Sequence, residues 1–439
     1  MDIKKIIQEN DILRKFELCA YIIKATFKNS ADMGYFNSNS LYKLFSKIFI
    51  QEYYTNVEDF FINICEPISN YLLDQYNNSG SIDFINDLFE IKNISLIVDD
   101  INLKYPEITP NLVISLDFNL LEIIYKYFYN KKVDALPNSK IKAAILGSAI
   151  GDGLGVPVEF YSREVIAENP VVSMLEYGSH HQPKGTWSDD TSMHLCLIDS
   201  LCSGLDYQDI AQKWLAWMEH GLWAATGKSF GIGDSIRVSL LKFKRGDDLF
   251  LCGGETERDN GNGSLMRTLP LAFYVKNMSI KKRKDIVFAV SAITHSHIRS
   301  QLACWFYVEI VINLINGMGK DAAIDQAYQL ISSFNIQDSE YFKQCNSSIK
   351  NLHRDEIKST GYVINSLEAS LWSFLTTENY RDAVLTAVNL GNDTDTIGAI
   401  TGGLAGVYYG LDQFPVEWLN VLQRKDDITA LCEDFSKNI

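Results

Sequence analysis

The sequence of 439 residues lacks cysteines at the spacing that a metal site or a disulfide framework would need. Its eight cysteines are scattered along the chain, and no two of them form a CxxC pair. Neither a structural zinc site nor a set of disulfides is therefore indicated. We expect free thiols and, with them, a reducing cytoplasmic location.

Positive charge and long apolar runs are also scarce. The formal net charge is −15, whereas proteins that bind phosphate backbones usually have a basic surface, so nucleic acid is not expected as a partner. No uninterrupted apolar run reaches the roughly 18 residues of a transmembrane helix, and charges interrupt the first 16 residues, so neither a membrane span nor a secretory signal is predicted. With 46% apolar and 12% aromatic residues, the chain should fold into two or three domains.

Glycine is almost missing from the first 135 residues, which hold two of the 27 glycines of the chain. Apolar residues there recur at spacings of three and four, which is typical of packed helices. The segment ALPNSK, residues 135–140, has the composition of a linker. The sequence therefore predicts a smaller, mainly helical accessory domain over residues 1–135 and a second domain over residues 141–439.

Lysine and arginine are absent between Lys47 and Lys92, although this interval contains eight acidic residues. The acidic stretch could be an ordinary solvated face of the accessory domain. It could also be a surface on which a basic partner docks. Both interpretations remain open at this point.

The second part of the chain carries small residues at every fourth position in two segments. One series is Ala143, Gly147, Gly151 and Gly155, and the other is Gly398, Gly402, Gly406 and Gly410. On a helix such residues lie on nearly one face, so each series predicts a helix that another backbone can approach closely. Since glycine inside a helix costs up to ~1 kcal/mol relative to alanine, the series indicate that close packing outweighs helix propensity.

Two acidic clusters about two hundred residues apart each precede a helix-like apolar pattern. They are Ser188-Asp189-Asp190-Thr191 and Asp393-Thr394-Asp395-Thr396. One carboxylate at a helix start would be an ordinary N-cap, whereas a second exceeds what capping requires. Four carboxylates in one place repel one another unless cations neutralise them. Because neither cluster contains His or Cys at ligand spacing, magnesium or manganese is favoured over zinc or copper.

Five motifs occur in a fixed order: GDGLGVPVE (151–159), SDDT (188–191), GNGSLMR (261–267), TH (294–295) and NDTDTIGAITGGLAG (392–406). Together they resemble the motif set of the ADP-ribosylglycohydrolase family, of the dinitrogenase reductase-activating glycohydrolase type. The resemblance covers about residues 141–425. It implies an all-α fold with a binuclear magnesium centre, at which manganese is possible, that cleaves the bond between ADP-ribose and a protein side chain.

The resemblance also implies roles for individual residues. The implied metal ligands are Ser188, Asp189, Asp190, Asp393, Asp395 and Thr396. Asp189, Asp190 and Glu159 are the catalytic candidates: Asp190 would activate water, and Glu159 would contact a metal or act as a general acid. A carboxylate near the anomeric carbon can stabilise the positive charge that develops on the ribose ring.

The remaining motifs would bind the diphosphate and adenosine parts of the substrate. The candidates are Gly231, Gly233, Asn262, Gly263, Ser264, Arg267 and His295. Glycine-rich turns can direct backbone N–H groups at an anion, although ordinary loops share this composition. The resemblance implies that His295 donates a hydrogen bond to a phosphate. Without it, His295 would be interpreted as a structural histidine. Arg267 could reach the diphosphate or form a buried ion pair that supports the loop.

Two further features near these motifs are open to interpretation. Asp152 could be a structural hydrogen-bonding partner. The pair His180-His181 could be taken for metal ligands, but we expect neutral, ordinary loop residues.

The expected function is magnesium-dependent removal of ADP-ribose from modified protein, with arginine as the expected linkage. Serine-linked and O-acetyl ADP-ribose remain alternatives, because the shared motifs would contact only the ADP-ribose half of the substrate. A hypothesis from another class is an immunity-type binding protein. It would neutralise an ADP-ribosyltransferase toxin by occluding the cleft of the toxin, with residues 1–135 as the docking part.

Overall fold

The structure, a computed structural model, describes residues 138–334 and 336–439, so the expectations for residues 1–135 lie outside the described residues. Within that part the chain is helical, without any strand and with three isolated β-bridges. The helices are α1 (Asn138–Gly155), α2 (Arg163–Glu168), α3 (Asp189–Leu201), α4 (Tyr207–His220), α5 (Asp234–Arg245), α6 (Leu269–Val275), α7 (Ile280–Ala292), α8 (Ile298–Ile315), α9 (Lys320–Ser333), α10 (Val363–Leu375), α11 (Tyr380–Val388), α12 (Thr394–Tyr409), α13 (Val416–Val421) and α14 (Lys425–Asn438). The predicted all-α fold is thereby confirmed for these residues. Helix α1 begins inside the segment that was assigned to a linker.

Helices α1 and α12 pack together along the two glycine series. A Cβ atom added at Gly151 would lie 2.0 Å from the carbonyl oxygen of Gly398, and one at Gly147 would lie 2.5 Å from the carbonyl oxygen of Gly402. Such distances leave no room for a side chain, so the two backbones touch directly. The predicted close approach is confirmed except at Gly410, which follows the end of α12 with a φ of 81° and open space around it.

The two helices run antiparallel, which brings the end of α1 to the start of α12. A Cβ atom at Gly155 would lie 2.3 Å from the backbone nitrogen of Asp395, and the Thr394 hydroxyl donates to the Gly155 carbonyl at 2.8 Å. At the other end, a Cβ atom at Gly406 would lie 2.2 Å from the carbonyl oxygen of Ala143. The acidic start of α12 is therefore fixed against the end of α1.

Asp152, in the last turn of α1, fixes the start of α3 at the same place. Its carboxylate accepts the backbone N–H of Ser188 at 2.9 Å, the backbone N–H of Thr191 at 3.0 Å and the Thr191 hydroxyl at 2.7 Å. Burial raises the pKa of Asp152 to about 6, although these bonds act in the opposite direction. The hydrogen-bonding role considered for Asp152 is thus observed, and it holds the SDDT segment beside α1.

The acidic residues lie at helix starts, as predicted, but the side chains of the aspartates do not cap these helices. Ser188 caps α3, because its hydroxyl accepts the backbone N–H of Asp190 at 3.3 Å. Asp393 stands at the N-cap position of α12 without a capping side-chain bond. Asp206 shows the ordinary case, since its carboxylate accepts two backbone N–H groups in the first turn of α4. The carboxylates of the clustered aspartates are therefore not used for capping and are available for another role.

Two stretches are long and apolar enough to cross a membrane by length and composition alone, Asn138–Val158 and Ile298–Ile315. Within the described part of the chain, 94% and 78% of these windows are buried. Burial of this extent is typical of helices in the core of a folded domain. Both stretches thus contribute to the packing that supports the acidic cluster.

Candidate metal centre and active site

The starts of α3 and α12 bring the implied metal ligands into one cluster. The hydroxyl groups of Ser188 and Thr396 donate to the same carboxylate oxygen, Oδ2 of Asp190, at 3.1 Å and 3.3 Å. One oxygen each of Asp152, Asp190 and Asp395 lies within 4.8 Å of the other two. Two segments that are about two hundred residues apart in the sequence therefore form one site.

The surroundings of these carboxylates disfavour their negatively charged form. Asp189, Asp190 and Asp395 are 6%, 1% and 3% exposed. Burial, followed by repulsion from neighbouring carboxylates, raises the pKa of each of these three groups well above its usual range. Burial and the charge of Glu159 raise the pKa of Asp393 to about 6. A cation that replaces the protons would relieve this repulsion.

One carboxylate oxygen of the cluster is buried without a partner. Oδ1 of Asp190 is buried and has no hydrogen-bond partner among the residues that the structure describes. A buried polar atom without a partner costs free energy, and a cation would satisfy it. The surrounding ligand atoms are hydroxyl and carboxylate oxygens, which Mg²⁺ and Mn²⁺ prefer. The residues present therefore fit a hard divalent cation.

Glu159 lies at the edge of the cluster, next to a histidine that the sequence analysis did not place there. Its Oε2 contacts Nε2 of His180, and one ligand atom each of Glu159, His180 and Asp395 lies within 4.8 Å of the other two. The sequence analysis expected an ordinary loop residue at His180, whereas the structure places its ring against Glu159. Sequence spacing could not reveal the contact, because the loops meet through a hydrogen bond from the Ser179 hydroxyl to the Glu159 carbonyl at 2.6 Å.

The turn of the GNGSLMR motif lies between His295 and the acidic cluster. A Cβ atom at Gly263 would lie 2.9 Å from Cε1 of His295, and one at Gly261 would lie 3.6 Å from Nε2. The side-chain amide of Asn262 donates to Oδ2 of Asp393 at 2.7 Å. The predicted phosphate turn is thus bonded directly to one of the implied metal ligands.

His295 presents a neutral ring to this turn. Arg267 donates to the Thr294 hydroxyl at 2.7 Å, and that hydroxyl lies 2.7 Å from Nδ1 of His295. When the Thr294 hydroxyl donates to Nδ1, the ring N–H lies at Nε2, next to the turn. Burial, together with the charge of Arg267, lowers the pKa of His295 to about 3. His295 can therefore offer an uncharged N–H donor to an anion held in the turn.

Two of the predicted substrate residues are enclosed in the core behind the turn. Arg267 is 1% exposed, and its guanidinium lies 3.7 Å from the centre of the Trp214 ring. Ser264 is 2% exposed, and its hydroxyl accepts from the thiol of Cys304 at 3.3 Å. The polar groups of both side chains are therefore taken up by contacts with other residues of the core. Arg267 supports the loop through Thr294, Met193 and the Trp214 ring, and the ion pair considered as one of its alternatives is not found among the described residues.

Gly231 and Gly233 lie on the other side of the turn, at the start of α5. Gly231 has a φ of 77°, and a Cβ atom there would lie 2.7 Å from Oδ1 of Asp189, so its left-handed backbone rests on the acidic cluster. Gly233 is the N-cap residue of α5. In the first turn of this helix, Ile236 packs against Gly263, with 2.9 Å between Cδ1 and an added Cβ atom. The start of α5 therefore links the cluster to the glycine-rich turn.

An all-helical scaffold thus surrounds a carboxylate cluster and an adjoining glycine-rich turn. Residues 134–439 match the family model of the ADP-ribosylglycohydrolases, and the chain belongs to this family. The resemblance carried by the five motifs is thereby confirmed. By its family the protein is a hydrolase of glycosidic bonds.

Several known proteins are similar to this chain. It is 35% identical to the ADP-ribosylarginine hydrolase Tri1 of Serratia proteamaculans, over 67% of this chain and 78% of the relative. It is 31% identical to the protein of the same name from Pseudomonas putida, over 67% and 77%. The ADP-ribosyl-[dinitrogen reductase] glycohydrolase of Rhodospirillum rubrum is 30% identical, over 64% and 90%. A solved structure, an ADP-ribosylglycohydrolase-related protein complex, superimposes with a TM-score of 0.59 at 28% identity, over 68% of this chain and 98% of that chain.

Proposed function

We propose that this protein is a divalent-metal-dependent hydrolase that removes ADP-ribose from arginine side chains of modified proteins. The observation that carries the proposal is the buried oxygen cluster around the unpartnered Oδ1 of Asp190, next to the turn that faces His295. The arginine linkage is supported by two relatives named ADP-ribosylarginine hydrolase, at 35% and 31% identity.

Two Mg²⁺ ions, with Mn²⁺ as a substitute, are the cofactors that this proposal assigns. Their ligands would be Ser188, Asp189, Asp190, Asp393, Asp395 and Thr396. Asp395 belongs to both groups of closely spaced ligand atoms, the one with Asp190 and the one with Glu159, which supports a centre that holds more than one ion. Bound ions of this kind neutralise charge, polarise hydroxyl groups and lower the pKa of water.

The side chains of the site have separate tasks in this proposal. Asp190 would act as the general base that activates the attacking water. Glu159, whose side chain is 13% exposed, can stabilise the charge that develops on the ribose ring or donate a proton to the leaving group. His295 and the turn at Gly263 would hold the diphosphate through N–H donors.

The test is release of free ADP-ribose from arginine-modified protein, serine-modified protein and O-acetyl-ADP-ribose, with Mg²⁺, with Mn²⁺ and with chelator. We expect metal-dependent release from the arginine substrate and none from the serine substrate. Asp189→Ala with Asp190→Ala should abolish it, whereas Asp206→Ala removes an aspartate from a different helix start and should retain it. Release from the serine substrate or the ester alone would refute the arginine linkage, and no release from any substrate would refute the hydrolase.

We also propose a cytoplasmic location, which is supported by the free cysteines of the described residues. Occlusion of a transferase by residues 1–135 stays a prediction from the sequence. Deleting those residues should leave hydrolysis of a small substrate intact if the described part contains the whole active site. Protection against a cognate transferase, measured separately, would show whether the first 135 residues also block the transferase directly.

A further inference from the structure

Three aromatic rings form a row at the edge of the acidic cluster. The ring of His180, which contacts Glu159, lies between the rings of Phe160 and Phe230, with centroid distances of 5.8 Å and 5.2 Å. We call Phe160, His180 and Phe230 the ring row. Its last member precedes Gly231, whose backbone rests on Asp189. The ring row thus borders the cluster from the Glu159 loop to the loop before α5.

Phe160 is exposed, and its backbone conformation is a strained one. It is 73% exposed, and its φ of 69° lies in the left-handed region, which is costly for a bulky side chain. Two backbone bonds hold it there: Phe160 N–H donates to the Asn392 carbonyl, and Asn392 N–H donates to the Tyr161 carbonyl, each at 2.7 Å. A strained, exposed phenylalanine that is anchored beside a site indicates a role in binding.

The ring row lies where the modified side chain, which is the leaving group, would pass. A modified side chain must extend from the buried cluster to the surface, because it belongs to another protein. Asp190 and Asp395 are 1% and 3% exposed, whereas Phe160 and Gly231 at the edge of the cluster are exposed. A side chain that leaves the cluster between the two loops would therefore pass along the ring row.

We propose that the ring row binds the guanidinium group of ADP-ribosylated arginine and thereby selects arginine-linked substrates. The inference rests on the proposed function. A guanidinium is planar, remains positively charged at neutral pH and stacks on aromatic faces. A serine-linked or ester substrate presents no cation here and gains nothing from the rings.

Equilibrium binding tests the inference without turnover. The probes are a hydrolysis-resistant C-glycosidic analogue of ADP-ribosylarginine, its uncharged urea counterpart and ADP-ribose, each with Mg²⁺ present. The wild type should bind the guanidinium analogue about threefold to tenfold more tightly than the urea analogue, the range of one or two exposed cation–π contacts. Phe160→Leu with Phe230→Leu should remove this preference and leave the Kd for ADP-ribose unchanged.

Two control variants separate the aromatic face from apolar bulk and from general surface effects. Phe160→Tyr keeps a ring and should keep the preference for the guanidinium analogue. Phe250→Leu removes a 44% exposed phenylalanine that pairs with Tyr207 instead of the ring row, and it should change nothing.

The possible outcomes distinguish this inference from the proposed function. Equal affinity of the wild type for the guanidinium and urea analogues would overturn the inference, even if arginine-modified protein is hydrolysed. Weaker binding of ADP-ribose itself by the leucine variants would also overturn it, because the rings would then serve adenine stacking or the fold. A wild type that prefers the guanidinium analogue but hydrolyses no arginine-modified protein would refute the proposed function and support the ring row.

Discussion

Replacing Gly151 by alanine tests the contact on which the acidic cluster is built. The new methyl group would lie 2.0 Å from the carbonyl oxygen of Gly398 and 2.4 Å from its carbonyl carbon. Cβ atoms essentially never approach another heavy atom within 3.0 Å, so α1 and α12 would have to separate by about 1 Å at this level. The obstacle is backbone, which cannot rotate away as a long side chain can.

Two opposing terms set the size of the effect. Alanine is favoured over glycine inside a helix by up to ~1 kcal/mol. Overpacking a close contact typically costs about 1–3 kcal/mol, and a backbone obstacle places this case at the upper end. We therefore expect a net destabilisation of about 2 kcal/mol. Asp152 directly follows Gly151, so the displaced helix would also shift the carboxylate that anchors the start of α3.

Gly153→Ala is the matched control on the same helix. Its Cβ atom would meet the carbonyl oxygen of Thr186 at 3.4 Å, an ordinary van der Waals contact, so the propensity gain should remain without a clash. Urea denaturation followed by circular dichroism should place Gly153→Ala at or above the wild type and Gly151→Ala below it. If both variants unfold at the same urea concentration, the close contact does not explain the glycine, and the packing argument is wrong.

Three further predictions concern buried ionisable groups. Asp152→Asn keeps the size of the side chain but loses an acceptor for Ser188 or Thr191. It should therefore lower the free energy of unfolding by about 1–3 kcal/mol and weaken Mg²⁺ binding, as measured by calorimetry. Unchanged Mg²⁺ affinity would contradict the positioning role of Asp152. Because burial raises the pKa of Asp393 to about 6, protonation of this group stabilises the chelated protein below that pH and is lost as the pH rises through it. The difference in Tm between Mg²⁺ and chelator should therefore shrink from pH 8 to pH 5, and a constant difference would show that protons and Mg²⁺ do not compete. His194 is buried, its pKa is lowered to about 3, and its ring nitrogens have no hydrogen-bond partner among the described residues. Wild-type stability should therefore fall as the pH drops below about 6.5, by up to ~1.4 kcal/mol per pH unit for this group. His194→Leu should reduce the slope by this amount in urea titrations at pH 4 to 7, while buried His295 keeps its own contribution.

The helix starts and the glycine contacts could be predicted because they follow from local rules. Small residues at every fourth position share one helix face, and Gly151 and Gly398 meet as that rule requires. Acidic residues before an apolar helical pattern mark a helix start, as at Asp189. The ligand set came from the family resemblance, since spacing alone does not join two clusters that are so far apart.

The ring row could not be predicted, because its members come from three loops without a periodic pattern. His180 reaches the cluster through the bond between Ser179 and Glu159, and Phe160 is placed by its bonds with the backbone of Asn392. The role of Arg267 was equally hidden. A sequence shows a cation within a motif, but only the fold shows that its guanidinium is buried against the ring of Trp214.

The bond between the Thr394 hydroxyl and the Gly155 carbonyl joins residues that are 239 positions apart in the chain. Since ribosomes add about 5–20 residues per second, roughly 10–50 s separate the synthesis of α1 from that of α12. During this interval the first acidic cluster has been made but the second has not. The acidic cluster can be completed only after α12 leaves the ribosome, so any chain that terminates before this helix lacks half of the implied ligands. Activity therefore requires that translation has proceeded through α12.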